Sequence, residues 1–196
     1  MGNQERWGIK GEKGIIAFES GNAGSGDAES GKTVSGKTSR RLLVLGLVAF
    51  TLLADQLTKA AIVKVLPPYS SRPLLPPVLS LTLVYNRGAA FSLFAGSQIV
   101  FVAISIVLLA GVILFRKQLT SAAARPADLG AALMAGGTIG NLIDRLRLGY
   151  VVDFLELPHW PVFNLADTAL VLGTALVVLG IWRWESLSHD ERSVRR

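Results

Sequence analysis

The chain has 196 residues, about half of them apolar, with a net charge of +6, two histidines and no cysteine. Without cysteine there is no disulfide, thiol nucleophile or thiolate metal site, and His159 and His189 do not make a histidine-clustered metal centre. The basic excess lies in an apolar chain without basic–aromatic interleaving, which suits flanks set against anionic lipid and argues against a nucleic-acid partner.

Residues 1–41 mix Gly, Ser, Lys and Glu and read as a disordered polar extension. A secretory signal is not expected, because the first apolar core starts far from the N-terminus and is too long. Four apolar blocks follow: Leu42 to about Leu66, Ile99 to Phe115, Leu129 to about Leu146, and Leu165 to Trp184. Each is near the ~20 residues that span hydrocarbon. The third is the least apolar, being rich in Gly and Ala and carrying Asn141, Asp144 and Arg145. Residues 42–184 therefore read as an all-α membrane domain of four transmembrane helices, and 185–196 as a polar tail.

Orientation follows from the basic residues. Lys37, Arg40, Arg41, Arg116, Lys117, Arg125, Arg183, Arg192, Arg195 and Arg196 fall on one side, against Lys64, Arg72, Arg87, Arg145 and Arg147 on the other. Both termini are expected in the cytoplasm, with 67–97 and 147–164 outside. Pro67, Pro68, Pro73, Pro76 and Pro77 exclude a helix at the start of the first external segment. Leu79, Leu81, Leu83 and Tyr85 then alternate with Ser80, Thr82 and Val84, which predicts a strand. Tyr150 to Leu157 is rich in β-branched and aromatic residues and predicts another, so a small external sheet is expected.

The costly residues are carboxylates near hydrocarbon, each a functional hypothesis by default. Asp153 lies just beyond the third block, and Asp167 lies in the first turn of the fourth. Pro158 and Pro161 between them suit a reversal that brings both to the outer face. Two carboxylates in contact share a proton, so one can take a proton from water while the other polarises a carbonyl. Each residue also has a plain structural reading. Asn164 and Asp167 fit a helix start, as N-cap and first-turn acid, and Asp153 fits a solvated strand face.

Asp144, three residues after Asn141, reads as part of a polar cluster joining helices. Gly136 and Gly140 have the small-xxx-small spacing of close helix contact. Asp55 and Lys59, four apart, read as an orienting ion pair, although Lys59 is also a candidate base for a serine such as Ser92. Asn86 and Gly88 read as turn residues or as a substrate-binding loop. A third class, a proton-coupled carrier, would need carboxylates along a path across the membrane. Here Asp55, Asp144, Asp153 and Asp167 all cluster toward the outer face.

Taken in order, Asp55-Gln-x-x-Lys59, Asn86-x-Gly-Ala-Ala-Phe91, Gly140-Asn-x-x-Asp-Arg145 with Val151-Val-Asp-Phe154, and Phe163-Asn-x-Ala-Asp167 resemble the lipoprotein signal peptidases, or signal peptidase II. The resemblance covers about residues 42–184 and leaves the N-terminal extension outside. It implies an aspartic endopeptidase of the bacterial inner membrane that acts on diacylglyceryl-modified prolipoproteins and cuts before the lipidated cysteine. It implies catalytic roles for Asp153 and Asp167, and supporting roles for Asp55, Lys59, Asn86, Gly88, Asn141, Arg145 and Asn164. It also implies an external β-cradle and an external mobile segment. No metal, cofactor or obligate protein partner is expected; the expected partners are the prolipoprotein substrate and membrane lipid.

Overall fold

A computed structural model describes residues 26–88, 98–116 and 125–194. By its contacts the chain divides into two units, Met1–Thr38 and Ser39–Arg196. In the first unit the described residues are helical from Gly26, the start of α1 (Gly26–Val65). The expected disordered extension thus gives way to helix over residues 26–41, and its first 25 residues lie outside the described part. Once a long helix is nucleated, each further residue fixed gains one hydrogen bond, so extension is easier than starting anew. The same holds at the other end, where α4 (Leu165–Val194) continues through most of the polar tail.

Between them lie β1 (Ser71–Leu75), β2 (Leu79–Asn86), α2 (Gln98–Arg116), α3 (Arg125–Leu148) and β3 (Val151–Glu156). The fold is mostly helical with one small antiparallel sheet, ordered β1-β2-β3. The strands expected near 79–85 and 150–157 are β2 and β3. β1 was not among the expected strands; its Pro73 is tolerated because β1 lies at the sheet edge. β2 and β3 pair across the two helices between them, setting Asn86 beside Val151 and Val84 beside Asp153. The register slips between Leu81 and Val84, an irregularity next to Asp153 of the kind that re-aims side chains.

The sheet rests on the end of α1. Leu66, Leu83 and Val152 form a buried core with Ile62, Leu81, Tyr85 and Tyr150 packed against it. Tyr85 also stacks on Tyr150 at 4.8 Å between ring centres.

Thr38–Val65 and Leu165–Ser186 are each long and apolar enough to cross a membrane, and Gln98–Leu114 is a shorter apolar helix. These helices carry large exposed apolar side chains, among them Leu42, Phe50, Leu57, Ile99, Val107, Val171 and Trp182, far beyond the usual patch on a soluble surface. α3 does not pass the same test, contrary to the sequence expectation of four apolar spans. The reason is its position. Ala127, Gly130, Ala131, Gly136, Gly137, Gly140 and Asn141 are all buried, so α3 faces its neighbours and has little need of apolar bulk. A Cβ on Gly130 would stand 2.4 Å from the Gly173 carbonyl oxygen of α4, so only glycine permits that approach.

Candidate active site

The polar residues of the helices converge beneath the sheet. Lys59 is buried, and its ammonium lies 2.9 Å from each of Asp55 Oδ2, Asp144 Oδ2 and Asn141 Oδ1. Three acceptors match its three N–H donors, so its whole hydrogen-bonding capacity is taken up inside this cluster. Ser92, the candidate nucleophile for a lysine base, lies outside the described residues. The Asp55–Lys59 pair expected from spacing is present, and Asp144 joins it as a second counter-ion.

Each carboxylate of this triad also ties a distant element down. Asp55 Oδ1 accepts from the Ala166 backbone N–H at 3.0 Å, satisfying a donor in the first turn of α4. Asp144 Oδ2 accepts from the Val152 N–H of β3 at 3.2 Å, and Asp144 Oδ1 accepts from Gln56 at 3.0 Å. Asp144 thus sits in a buried polar cluster that joins α1, α3 and β3. Gln56 also donates to the Gly140 carbonyl, a role that no motif announced.

Gly136 and Gly140 do mark a close helix contact, with α1. A Cβ on Gly140 would sit 2.5 Å from Asp55 Oδ2. Asp55 is fully buried and bonded on both oxygens, so it has nowhere to go. Gly140→Ala is expected to destabilise the protein by about 1–3 kcal/mol, read as a lower thermal midpoint in detergent. Gly46→Ala, where a Cβ meets nothing within 4 Å, serves as the control and should not lower the midpoint.

Above the triad, Asn164 organises the two remaining aspartates. Asp167 N–H donates to Asn164 Oδ1 at 2.9 Å, while Asn164 N–H donates back to Asp167 Oδ2 at 3.3 Å. This is a capping box, so the helix-start reading of Asn164 and Asp167 holds. The same Asn164 turns its amide onto Asp153, donating to Oδ1 at 2.7 Å. Asn86 donates to Asp153 Oδ2 at 2.7 Å and is itself oriented by the Gly88 N–H, which donates to Asn86 Oδ1 at 2.9 Å. Ala89–Phe91 lie outside the described residues. Asn141 donates to Asp167 Oδ1 at 2.8 Å and accepts from Lys59, linking the triad to the pair. Its side chain thus bonds Lys59, Asp167 and Asn164 rather than Asp144, its neighbour by spacing.

Backbone pairing fixes the pair's placement. Phe163 bridges to Leu155, which lays the start of α4 along β3 and brings Asp167 back toward Asp153. Asp153 is 2% exposed, so it is no solvated strand face. Among the described residues no cation forms an ion pair with Asp153 or Asp167. Neutral amides hold both carboxyls. Burial, and next the Asp167 carboxylate, push the Asp153 carboxyl up to about 7, against the hydrogen bonds from Asn86 and Asn164 and the charge of Lys59. Arg145 borders the pair without an ion pair to it: its guanidinium lies 5.1 Å over the Phe101 ring and 3.5 Å from the Asn141 carbonyl oxygen, its charge acts on Asp167, Asp153 and Asp144, and its own carbonyl takes a bond from Gln98. Among the described residues no group of three His, Cys, Asp or Glu side chains converges as metal ligands would.

A helical scaffold with an apolar outer surface, crowned by a sheet that closes over buried carboxyls held by amides, defines a membrane-enzyme class of fold. A match to the family model "Signal peptidase (SPase) II" covers residues 47–183. The chain belongs to that family, and is accordingly a protease of lipoprotein processing. It is 41% identical over 151 residues to a lipoprotein signal peptidase of Pelotomaculum thermopropionicum, covering 76% of this chain and 95% of that protein. It is 48% identical over 132 residues to a lipoprotein signal peptidase of Moorella thermoacetica, covering 67% of this chain and 87% of that one. A solved structure described as a bacterial membrane enzyme determined by the in meso method at 2.3 Å resolution superposes with a TM-score of 0.65. It is 28% identical and covers 72% of this chain and 88% of that chain.

Proposed function

We propose that this chain is an aspartic endopeptidase of the bacterial inner membrane, removing signal peptides from diacylglyceryl-modified prolipoproteins just before the lipidated cysteine. Asp153 and Asp167 are its catalytic pair. The observation that carries this reading is Asn164, which bonds both carboxyls at once and so couples β3 to α4. α1 to α4 cross the membrane, both termini lie in the cytoplasm, and the sheet lies on the outer side. Residues 42–184 are the peptidase domain. The substrate's acyl chains stay in the bilayer while its scissile bond reaches water at the pair.

In this mechanism the pair shares one proton, held at neutral pH by Asp153. Asp167 takes a proton from a water molecule, whose oxygen attacks the scissile carbonyl carbon as Asp153 gives its proton to the carbonyl oxygen. As the tetrahedral intermediate collapses, a hydroxyl proton returns to Asp153, the C–N bond breaks, and the amine leaves with the proton held by Asp167, which restores the starting pair. Asn86, Asn141 and Asn164 hold the two carboxyls in register, and the Asp55–Lys59–Asp144 triad holds the helices that carry them.

The direct test is incubation of the purified protein with a diacylglyceryl-modified prolipoprotein, following release of the signal peptide. Release is expected; its absence with well-folded protein would sink the reading. The pH profile follows from the proton on Asp153. With its carboxyl pushed up to about 7, kcat/KM is expected to fall about tenfold per pH unit above that value. A profile flat from pH 6 to 9 would remove Asp153 as the proton-carrying member.

A further inference from the structure

Beyond the dyad, β3 runs on into a groove of about 600 Å³ between the β1–β2 turn and the β3–α4 connector. Its lining includes Pro77, Val78, Ser80, Glu156, His159 and Trp160. We propose that this groove receives the segment of the substrate that follows the lipidated cysteine, and that Glu156 sets a charge preference there. The inference rests on the peptidase reading.

A prolipoprotein has three parts to place. Its apolar signal segment and its acyl chains belong in the bilayer. The chain after the cysteine is a polar peptide that must leave the membrane on the side where the sheet lies. Glu156 follows Asp153 by three residues on β3, about 10 Å at the ~3.3 Å rise of a strand. An extended substrate with its scissile bond at Asp153 therefore brings the second to fourth residues after the cysteine to Glu156.

The site is built for a charge. The Thr82 hydroxyl donates to Glu156 Oε2, and the Ser71 hydroxyl lies 3.4 Å from the same oxygen and 2.8 Å from Thr82 Oγ1. Residues of all three strands thus hold one carboxylate in place. Among the described residues the groove lining contains no Lys or Arg to neutralise it. Trp160, 64% exposed, offers an apolar wall on which a lysine or arginine stem can lie. Basic or neutral polar residues fit this surroundings, and acidic ones are repelled.

The test compares diacylglyceryl-modified prolipopeptides that differ only in carrying Lys, Ser or Glu at the second to fourth positions after the cysteine. The Lys peptide is expected to be cleaved with kcat/KM roughly tenfold above the Glu peptide, mostly through KM, with the gap shrinking in high salt. Glu156→Gln should bring the Lys-to-Glu ratio close to one, and Glu156→Lys should invert it. A ratio between two substrates on one preparation cancels differences in yield or folding. Equal cleavage of the Lys and Glu peptides by the unaltered protein, or a ratio unmoved in both variants, would overturn the proposal. Cleavage of none of the peptides would overturn the peptidase reading, and this inference with it.

Discussion

Replacing Asp153 or Asp167 by asparagine is expected to lower prolipoprotein cleavage by at least about a thousandfold, because in the proposed mechanism each carboxyl moves a proton that an amide cannot. Release of signal peptide by each purified variant measures it; near-normal rates in either would remove the dyad. A second readout separates chemistry from folding. In the folded protein Asp153 holds its proton up to about 7, whereas an unfolded chain releases it near the ordinary carboxyl value of 3.8. The stability this group contributes is full below the lower value and is lost as pH rises through the higher one. Asp153→Asn should flatten that decline in a thermal scan across pH 4 to 8. Its stability at any single pH is less diagnostic, since Asn86 and Asn164 both donate to this carboxyl and an amide accepts only one of those bonds well.

Lys59→Met carries the largest expected loss of stability, about 3–5 kcal/mol. It strands two buried carboxylates, Asp55 at 0% and Asp144 at 4% exposure, around a hole where their shared cation stood. Those carboxylates hold Ala166 at the start of α4 and Val152 of β3, so activity should fall with the fold. Thermal midpoint in detergent and yield from membranes measure it. Asp144→Asn keeps one acceptor and should cost less while retaining cleavage in the folded fraction. Complete loss of activity in a well-folded Asp144→Asn protein would make Asp144 more than structural.

The contrast between Asp144 and Asp153 is instructive about charge in a buried site. Both are nearly inaccessible, at 4% and 2% exposure. Asp144 faces the Lys59 ammonium at 2.9 Å. Asp153 has no such partner: burial, and next the Asp167 carboxylate, raise its proton affinity, and the amides of Asn86 and Asn164 offset only part of that. In the proposed mechanism the charge of their partners is what separates the two: a cation beside Asp144, neutral amides around Asp153.

Much of this was legible in the linear chain. Runs of apolar residues near the thickness of a bilayer announce helices, whatever they pack against. Alternation from Leu79 to Tyr85 announces β2. Asn164 three residues before Asp167 announces a helix start, and Asp55 four before Lys59 announces an ion pair. These are local signals, set by repeat lengths of 3.6 and 2 residues within one element. Tertiary structure alone decided the rest: that β1 forms despite Pro73, that α3 is polar because its faces are covered, that Asn141 turns to Lys59 and Asp167, and that Gln56 joins the triad. It also decided that Asp55 reaches Ala166 across 111 positions. A buried polar group must find a partner, but which one depends on what the fold brings near, and that choice leaves no periodic trace in the sequence.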